Sequence, residues 1–307
     1  MNEETLYKIA SVLDRIKLIK FGRRVFRIYL NRKIRGIKRK QIKEIQKLGK
    51  YAEVKIGRYK FILDRSNVHD FQMLKIFESG KLYESEVSSY ISKNLRPGET
   101  FMDIGANNGY YTILAADLVG TNGKVISVEP NPNAFQRLLQ NIEINNLSNI
   151  VALNVALSDH ETKTMLYLNE DSEDGLASLS KGEQNQPLCE VELKRFDNLI
   201  DDENISIIKM DVEGSEIDII KGMENYLRSH REIKIIMEWN VSYRNENDFN
   251  YLYNLFRVNL ILPDSKLGFK LAKVTQFKDL VMLCNILLEQ RDSTPCTNLE
   301  GHLRAKD

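Results

Sequence analysis

The sequence predicts an α/β fold of the Rossmann-like kind, a mostly parallel seven-stranded sheet with helices on both faces, preceded by a basic helical arm. Three observations carry this expectation. From Thr100 onward, brief apolar runs alternate with helix-length stretches, the signature of repeated strand–helix units. The first such run ends in Asp103-Ile-Gly105-Ala-Asn-Asn-Gly109, where glycines permit a tight strand-to-helix turn. Between Arg15 and Lys50, fifteen Lys or Arg face a single acid, Glu44, so a segment of +14 is joined to a remainder of −13 in a chain of net charge +1.

Composition bounds the classes. A chain of 307 residues holds one large domain or two small ones, and 42% hydrophobic with 28% charged residues is ordinary for a globular protein. Six prolines and sixteen glycines exclude a fibrous chain. No apolar run is long enough to span a bilayer, and Asn2, Glu3 and Glu4 do not open a secretory leader. Cys189, Cys284 and Cys296 are too scattered for a disulfide framework or a zinc site, so a reducing, cytoplasmic setting is expected. His69, His160, His230 and His302 are equally dispersed and suggest no histidine metal centre.

Taken in order, residues 1–50 read as a basic amphipathic arm, with Ile16, Ile19, Phe26, Leu30 and Ile34 at helical spacing. Residues 51–98 hold a hairpin over Tyr51 to Asp64 around Gly57-Arg58, and a helical stretch from Asp70 to Asn94. Residues 99–290 form the main domain. Strands are expected at Phe101 to Ile104, Lys124 to Glu129, Ile150 to Val155, Ile205 to Met210 and Ile233 to Glu238, with helices at Gly109 to Val119, Pro132 to Asn145, Ser215 to Leu227 and Asp248 to Asn259. Met165 to Leu168 and Val191 to Leu193 look like added strands around a polar loop from Asn169 to Pro187. Apolar runs at Leu260 to Leu262 and Val281 to Leu288 close the body, and 291–307 read as a loose tail.

The turn after the first strand is the most informative segment. Ligands of such sheets bind beyond the carboxyl ends of the strands, against free N–H groups of the next helix. A dinucleotide site needs a G-x-G-x-x-G turn for the pyrophosphate. Here Gly105-Ala106-Asn107-Asn108-Gly109 follows Asp103, a carboxylate and carboxamide set that suits a ligand with a positive amino group. S-adenosylmethionine fits better than NAD. Ser127-Val128-Glu129-Pro130 ends the second strand, where an acid can accept from both ribose hydroxyls. The bland alternative makes Asp103 or Asn107 a helix cap and Glu129 a solvated strand end.

Asp-Ile-Gly-Ala-Asn-x-Gly, Val-Glu-Pro, Asn145-Asn146, Ala156-Leu-Ser-Asp159 and Lys209-Met-Asp-Val-Glu-Gly214 together resemble the FkbM family of methyltransferases over about Phe71 to Leu288. Gly80-Lys-Leu-Tyr-Glu84 resembles the family's lead-in to the cofactor strand. The resemblance implies cofactor contacts at Glu84, Asp103, Gly105, Ala106, Asn107, Gly109, Glu129, Pro130, Ala156 and Asp211, and methylation of a hydroxyl on a sugar, glycan or specialised metabolite. Asn108, where an aliphatic residue is commoner, and Glu238-Trp239-Asn240 depart from the family pattern.

Methyl transfer to an alcohol requires alignment of the acceptor oxygen and removal of its proton. Lys209 and Asp211 share a strand face, Glu213 follows at the sheet's edge, and Glu238 ends the next strand. These four are the catalytic candidates. Asp211 and Glu238 could instead ligate Mg2+, a hard cation that favours oxygen, or Lys209 and Asp211 could be an internal ion pair. Glu216 reads as a first-turn acid complementing the helix dipole. The arm, residues 15–50, suits an anionic membrane surface at the inner face or packing on the chain itself or a second subunit. Nucleic acid ranks below both, since Asn131-Pro-Asn-Ala134 lacks the second proline and aromatic of base-modifying enzymes. A nicotinamide-dependent oxidoreductase and a non-catalytic scaffold are the remaining alternatives.

Overall fold

The computed structural model describes residues 47–169, 177–179, 185–200, 203–240, 244–280 and 283–291. The expected basic arm up to residue 46, the tail from 292 and part of the expected Asn169–Pro187 loop lie outside them.

Strands β1 (Tyr51–Ile56) and β2 (Tyr59–Asp64) form the expected hairpin, turning through Gly57 at a φ of 57°. The single helical stretch expected from Asp70 to Asn94 is two helices, α1 (Val68–Glu78) and α2 (Ser85–Asn94). Gly80 and Glu84 both adopt left-handed backbone between them, which no continuous helix tolerates. A β-α-β-α-β run follows: β3 (Thr100–Ile104), α3 (Tyr110–Val119), β4 (Lys124–Val128), α4 (Pro132–Ile144) and β5 (Ile150–Leu153). The strand expected to reach Val155 stops at Leu153, because β6 (Ala156–Ser158) leaves for a second sheet with β7 (Thr162–Asn169), β8 (Ala177–Ser178) and β9 (Asn185–Arg195), ordered β6-β9-β7-β8. The expected polar loop therefore contains strand at β8 and at the start of β9.

Helix α5 (Phe196–Leu199) leads into β10 (Ile205–Met210). The helix expected over Ser215 to Leu227 is divided into α6 (Glu216–Gly222) and α7 (Glu224–Ser229). A Cβ on Gly222 would overlap the Ser158 carbonyl oxygen, so α6 ends pressed against β6. After β11 (Lys234–Asn240), α8 (Glu246–Leu255) ends four residues before the expected Asn259. Phe256 and Val258 are buried while Arg257 is exposed, a two-residue period that assigns them to strand β12 (Phe256–Asp264). Strands β13 (Gly268–Val274) and β14 (Leu283–Gln290) are the last strands among the described residues.

The main sheet has eight strands, not the expected seven, in the order β13-β12-β14-β11-β10-β3-β4-β5. The additional strand is β13, folded back on β12. β5, β4, β3, β10 and β11 pair in parallel, and β14 runs antiparallel to both β11 and β12. The sheet is thus mostly parallel, as expected.

Alternate residues of the central strands feed separate cores. Met102, Ile126, Ile208, Ile235 and Ile286 belong to the core that includes α6, α7 and α8. Their neighbours Phe101, Val125, Ile207, Ile236 and Leu287 belong to the core built with β1, β2, α1, α2 and α3. A strand buried on both faces must be apolar at every position, which is why these strands read as continuous apolar runs.

Candidate active site

At the carboxyl ends of the strands, the second face becomes polar. Ser127 on β4, Asp103 on β3 and Lys209 on β10 stand side by side in register. Farther along, Glu238 on β11 faces its cross-strand partner Asn285 on β14. By strand alternation these five side chains lie on one face, the face covered by α2, α3 and the Glu84 turn.

One half of the site surrounds the glycine loop. Gly105 has a φ of 81°, and a Cβ there would overlap the Asp211 carbonyl oxygen, so the loop lies directly on the chain leaving β10. The Gly105 and Ala106 N–H groups donate to the Val128 carbonyl at 2.9 and 3.0 Å. Asn107, at a φ of 48°, donates its N–H to Glu129 Oε2 at 2.8 Å, and the Asn131 N–H donates to Oε1 at 2.8 Å. Burial lifts Glu129 to about 7 against the pull of those two donors and of Arg137. Burial likewise lifts Asp103 to about 6, against the Thr112 hydroxyl, which donates at 2.6 Å, and Lys209. Gly109 opens α3 without a side-chain cap. The Pro130 carbonyl accepts from Asn154 Nδ2 at 3.1 Å, and Ala156 is buried at the start of β6.

Asn108 is buried, and its unusual amide has partners. Its Nδ2 donates to Asp70 Oδ1 at 2.8 Å, and the main-chain carbonyl of Asn108 accepts from Asn141 Nδ2 at 2.8 Å. Asp70, fully buried on α1, also accepts the Asp64 N–H at 2.9 Å and lies 3.3 Å from Arg137 Nε. Burial opposes ionisation of Asp70, yet His69, Arg137 and the Asp64 N–H hold it below the usual carboxylate range. A polar residue at 108 is accommodated because the N-terminal segment supplies its partner.

The other half brings the catalytic candidates together. One carboxylate oxygen from each of Asp211, Glu213 and Glu238 lies within 4.8 Å of the others. Glu213 and Gly214 take positive φ values as the chain turns off β10. Glu216 is buried, pairs with Arg244 and accepts the Val212 and Gly214 N–H groups at 3.3 and 3.4 Å, so it organises that turn as well as occupying a first helical turn. Lys209 Nζ lies 3.4 Å from Asp211 Oδ2 and 5.4 Å from the centre of the Tyr111 ring. Lys209 is 1% exposed; burial disfavours its charge, but Asp211, Glu84, Glu238 and Asp103 together hold it above its ordinary value. Burial first, then Asp211, Glu213 and Glu84, push Glu238 well above the carboxylate range. Glu84, at a φ of 38°, accepts Tyr111 Oη at 2.5 Å and Asn285 Nδ2 at 3.1 Å. From the second sheet, Ser178 Oγ donates to the Glu213 carbonyl at 3.1 Å.

Sequence reasoning did not find Tyr111, Asn285, Asp70 or the Glu216–Arg244 pair. Asn285 carried a faint signal, as a lone amide inside the apolar run Leu283 to Leu288.

The family description "Methyltransferase FkbM domain" matches residues 103–271, more than half of the chain. The chain belongs to the FkbM methyltransferase family. As an FkbM-family protein it is a methyltransferase enzyme. The protein-L-isoaspartate(D-aspartate) O-methyltransferase family also matches, at residues 38–161. The FkbM chain is 21% identical over 202 residues to hexuronic acid methyltransferase AglP of Haloferax volcanii, covering 65% of this chain and 76% of that relative. It is 22% identical over 151 residues to methyltransferase 1 of Beauveria bassiana, covering 42% of this chain and 60% of that one. Among solved structures, a SAM-dependent O-methyltransferase from Thermotoga maritima aligns at 12% identity and a TM-score of 0.42, over 80% of this chain and 87% of its own. A SAM dependent methyltransferase from Aquifex aeolicus aligns at 14% identity and 0.39, over 70% and 96%. Among the described residues, no helix is long and apolar enough to cross a membrane.

Proposed function

We propose that this enzyme transfers the methyl group of S-adenosylmethionine to a hydroxyl of a sugar or glycan. The observation that carries the reading is the carboxylate cluster of Asp211, Glu213 and Glu238, set one and two strands away from the Asp103–Gly109 loop. The AglP likeness supports a sugar acceptor. The residues fit the cofactor: Gly105 leaves no room for a side chain between loop and β10, and the buried acids Asp103 and Glu129 complement a cationic, hydroxyl-bearing ligand. Asp103, Gly105, Ala106, Asn107, Gly109 and Glu129 would hold it, with Pro130 and Ala156 beside the ribose and base and Glu84 at the far end.

When bound, S-adenosylmethionine supplies a methyl group on a sulfonium, which the acceptor oxygen displaces as the C–S bond breaks and the electron pair stays on sulfur. The chain's residues orient the hydroxyl and take its proton. Burial, then Asp211, Glu213 and Glu84, raise Glu238 well above the carboxylate range, so that once ionised it is a strong acceptor for the hydroxyl proton, and Asp211 is held in place by Lys209. The same three oxygens suit a hard cation, and this second reading differs in one respect: EDTA should then abolish activity and Mg2+ restore it.

Calorimetric titration with S-adenosylmethionine, S-adenosylhomocysteine and NADH tests the reading directly. The two adenosyl ligands should bind and NADH should not. Binding of NADH alone would replace methyl transfer by hydride chemistry.

A further inference from the structure

On the polar face, Asn285 has a half-completed set of hydrogen bonds among the described residues. It is 8% exposed, its Nδ2 donates to Glu84 Oε1 at 3.1 Å, and its Oδ1 is buried without any donor. With Nδ2 turned toward Glu84, Oδ1 faces the other way. Buried acceptors are almost always satisfied, and one left alone costs the full desolvation of that group.

Its position in the sheet tells which ligand could supply the donor. Most of the residues proposed to hold the cofactor stand on or just after β3 and β4, and β14 is three strand positions from β3, about 14 Å at the usual strand spacing, with Glu84 alone of that set reaching Asn285. Between them stand Asp211 after β10 and Glu238 on β11, where the methyl acceptor must lie. Asn285 is therefore on the acceptor side of the reacting centre. The polar groups nearest it, Glu84 and Glu238, are carboxyl groups, and Lys209 is engaged with Asp211. A ligand hydroxyl entering here can donate to Oδ1, and a second hydroxyl does so without adding charge.

We propose that Asn285 is a specificity-determining residue of the acceptor pocket, its Oδ1 accepting a hydrogen bond from a hydroxyl neighbouring the one that is methylated. The preferred acceptor is then a vicinal diol of the kind a sugar ring presents. This rests on the methyltransfer reading above and narrows it.

The test uses methyl glycosides of hexoses and hexuronic acids with their monodeoxy counterparts, following release of S-adenosylhomocysteine by the full chain. In the wild-type protein, removing the hydroxyl next to the methylated one should lower kcat/KM at least about tenfold. In Asn285→Ala and Asn285→Leu that penalty should shrink to less than threefold, while Asn285→Ser retains part of it. The penalty is a ratio of two substrates on one sample, so a reduced folded fraction does not alter it. Affinity for S-adenosylhomocysteine should stay within threefold in every variant. A tenfold loss there would assign Asn285 to the cofactor and overturn the proposal. An unchanged deoxy penalty in Asn285→Ala would overturn it alone, as expected if Oδ1 takes the Glu238 proton instead. Failure of the wild-type protein to methylate any glycoside, with cofactor binding intact, would overturn both this and the sugar reading.

Discussion

The environments of Glu129 and Asp211 make separate predictions for the roles proposed for them. Glu129 sits near 7 because burial outweighs the Asn107 and Asn131 N–H groups and Arg137. Ribose hydroxyls donate better to the ionised form, so bound cofactor should lower that value, and affinity should rise as pH rises through about 7. Glu129→Gln should weaken S-adenosylhomocysteine at pH 8 at least about tenfold, the cost of losing a charged partner. It should also flatten the pH dependence of binding between 6 and 8, and parallel calorimetric profiles for wild type and variant would refute the assignment. Asp211 is proposed to serve the chemistry instead. Asp211→Asn should leave cofactor affinity within a few-fold and lower turnover by roughly a hundredfold. Normal turnover on a true acceptor would pass the role to Glu238 or Glu213.

At the scale of elements, the site depends on two chain segments approaching closer than a methyl group allows. The Gly105 loop rests on the Asp211 carbonyl, and the Asp211 N–H donates to the Ile104 carbonyl at 2.9 Å. Gly105→Ala must push β3 and β10 apart as well as strain a φ of 81°. Gly120, at a φ of 67°, has open space around it. With a ψ of −173° Gly120 lies in a region almost reserved for glycine, so Gly120→Ala should cost only its backbone strain, about 2 kcal/mol. Gly105→Ala should cost several times that and abolish cofactor binding. Equal shifts in thermal midpoint for the two variants would show that the close approach is not what matters.

Across the whole molecule, the N-terminal segment is a wall of the site. Phe61, Leu63, Met73, Tyr90 and Ile91 share a core with Phe101, Tyr110 and Ile207. Asp70 secures Asn108 in the cofactor loop, and Glu84 joins Tyr111 to Asn285. A chain beginning at Lys50 should fold and bind S-adenosylhomocysteine, whereas one beginning at Pro97 should not fold, as circular dichroism and calorimetry would show. The arm before it follows a different logic. Each cation near an anionic surface contributes about 1 kcal/mol, weakened by salt. The full chain should bind vesicles of anionic lipid at low salt, lose them at high salt, and lose them altogether without residues 1–49. Full-length protein that ignores such vesicles would point to a protein partner for the arm.

What was legible in the sequence was local. Apolar runs buried on both faces announced the central strands, and Asp103 to Gly109 with Glu129 announced the polar turn at their carboxyl ends, because period and turn chemistry are written in consecutive residues. Lys209, Asp211 and Glu213 were legible for the same reason. The tertiary structure alone decided how distant segments close over that edge. Glu84 and Asn285 meet across 201 positions, and Asn108 finds Asp70 across 38. The break between α1 and α2 and the strand character of Phe256 to Asn259 were equally hidden. A neighbour set by strand order leaves no periodic trace, since the energy that selects it comes from packing and from satisfying buried polar atoms, and both exist only once the sheet is assembled.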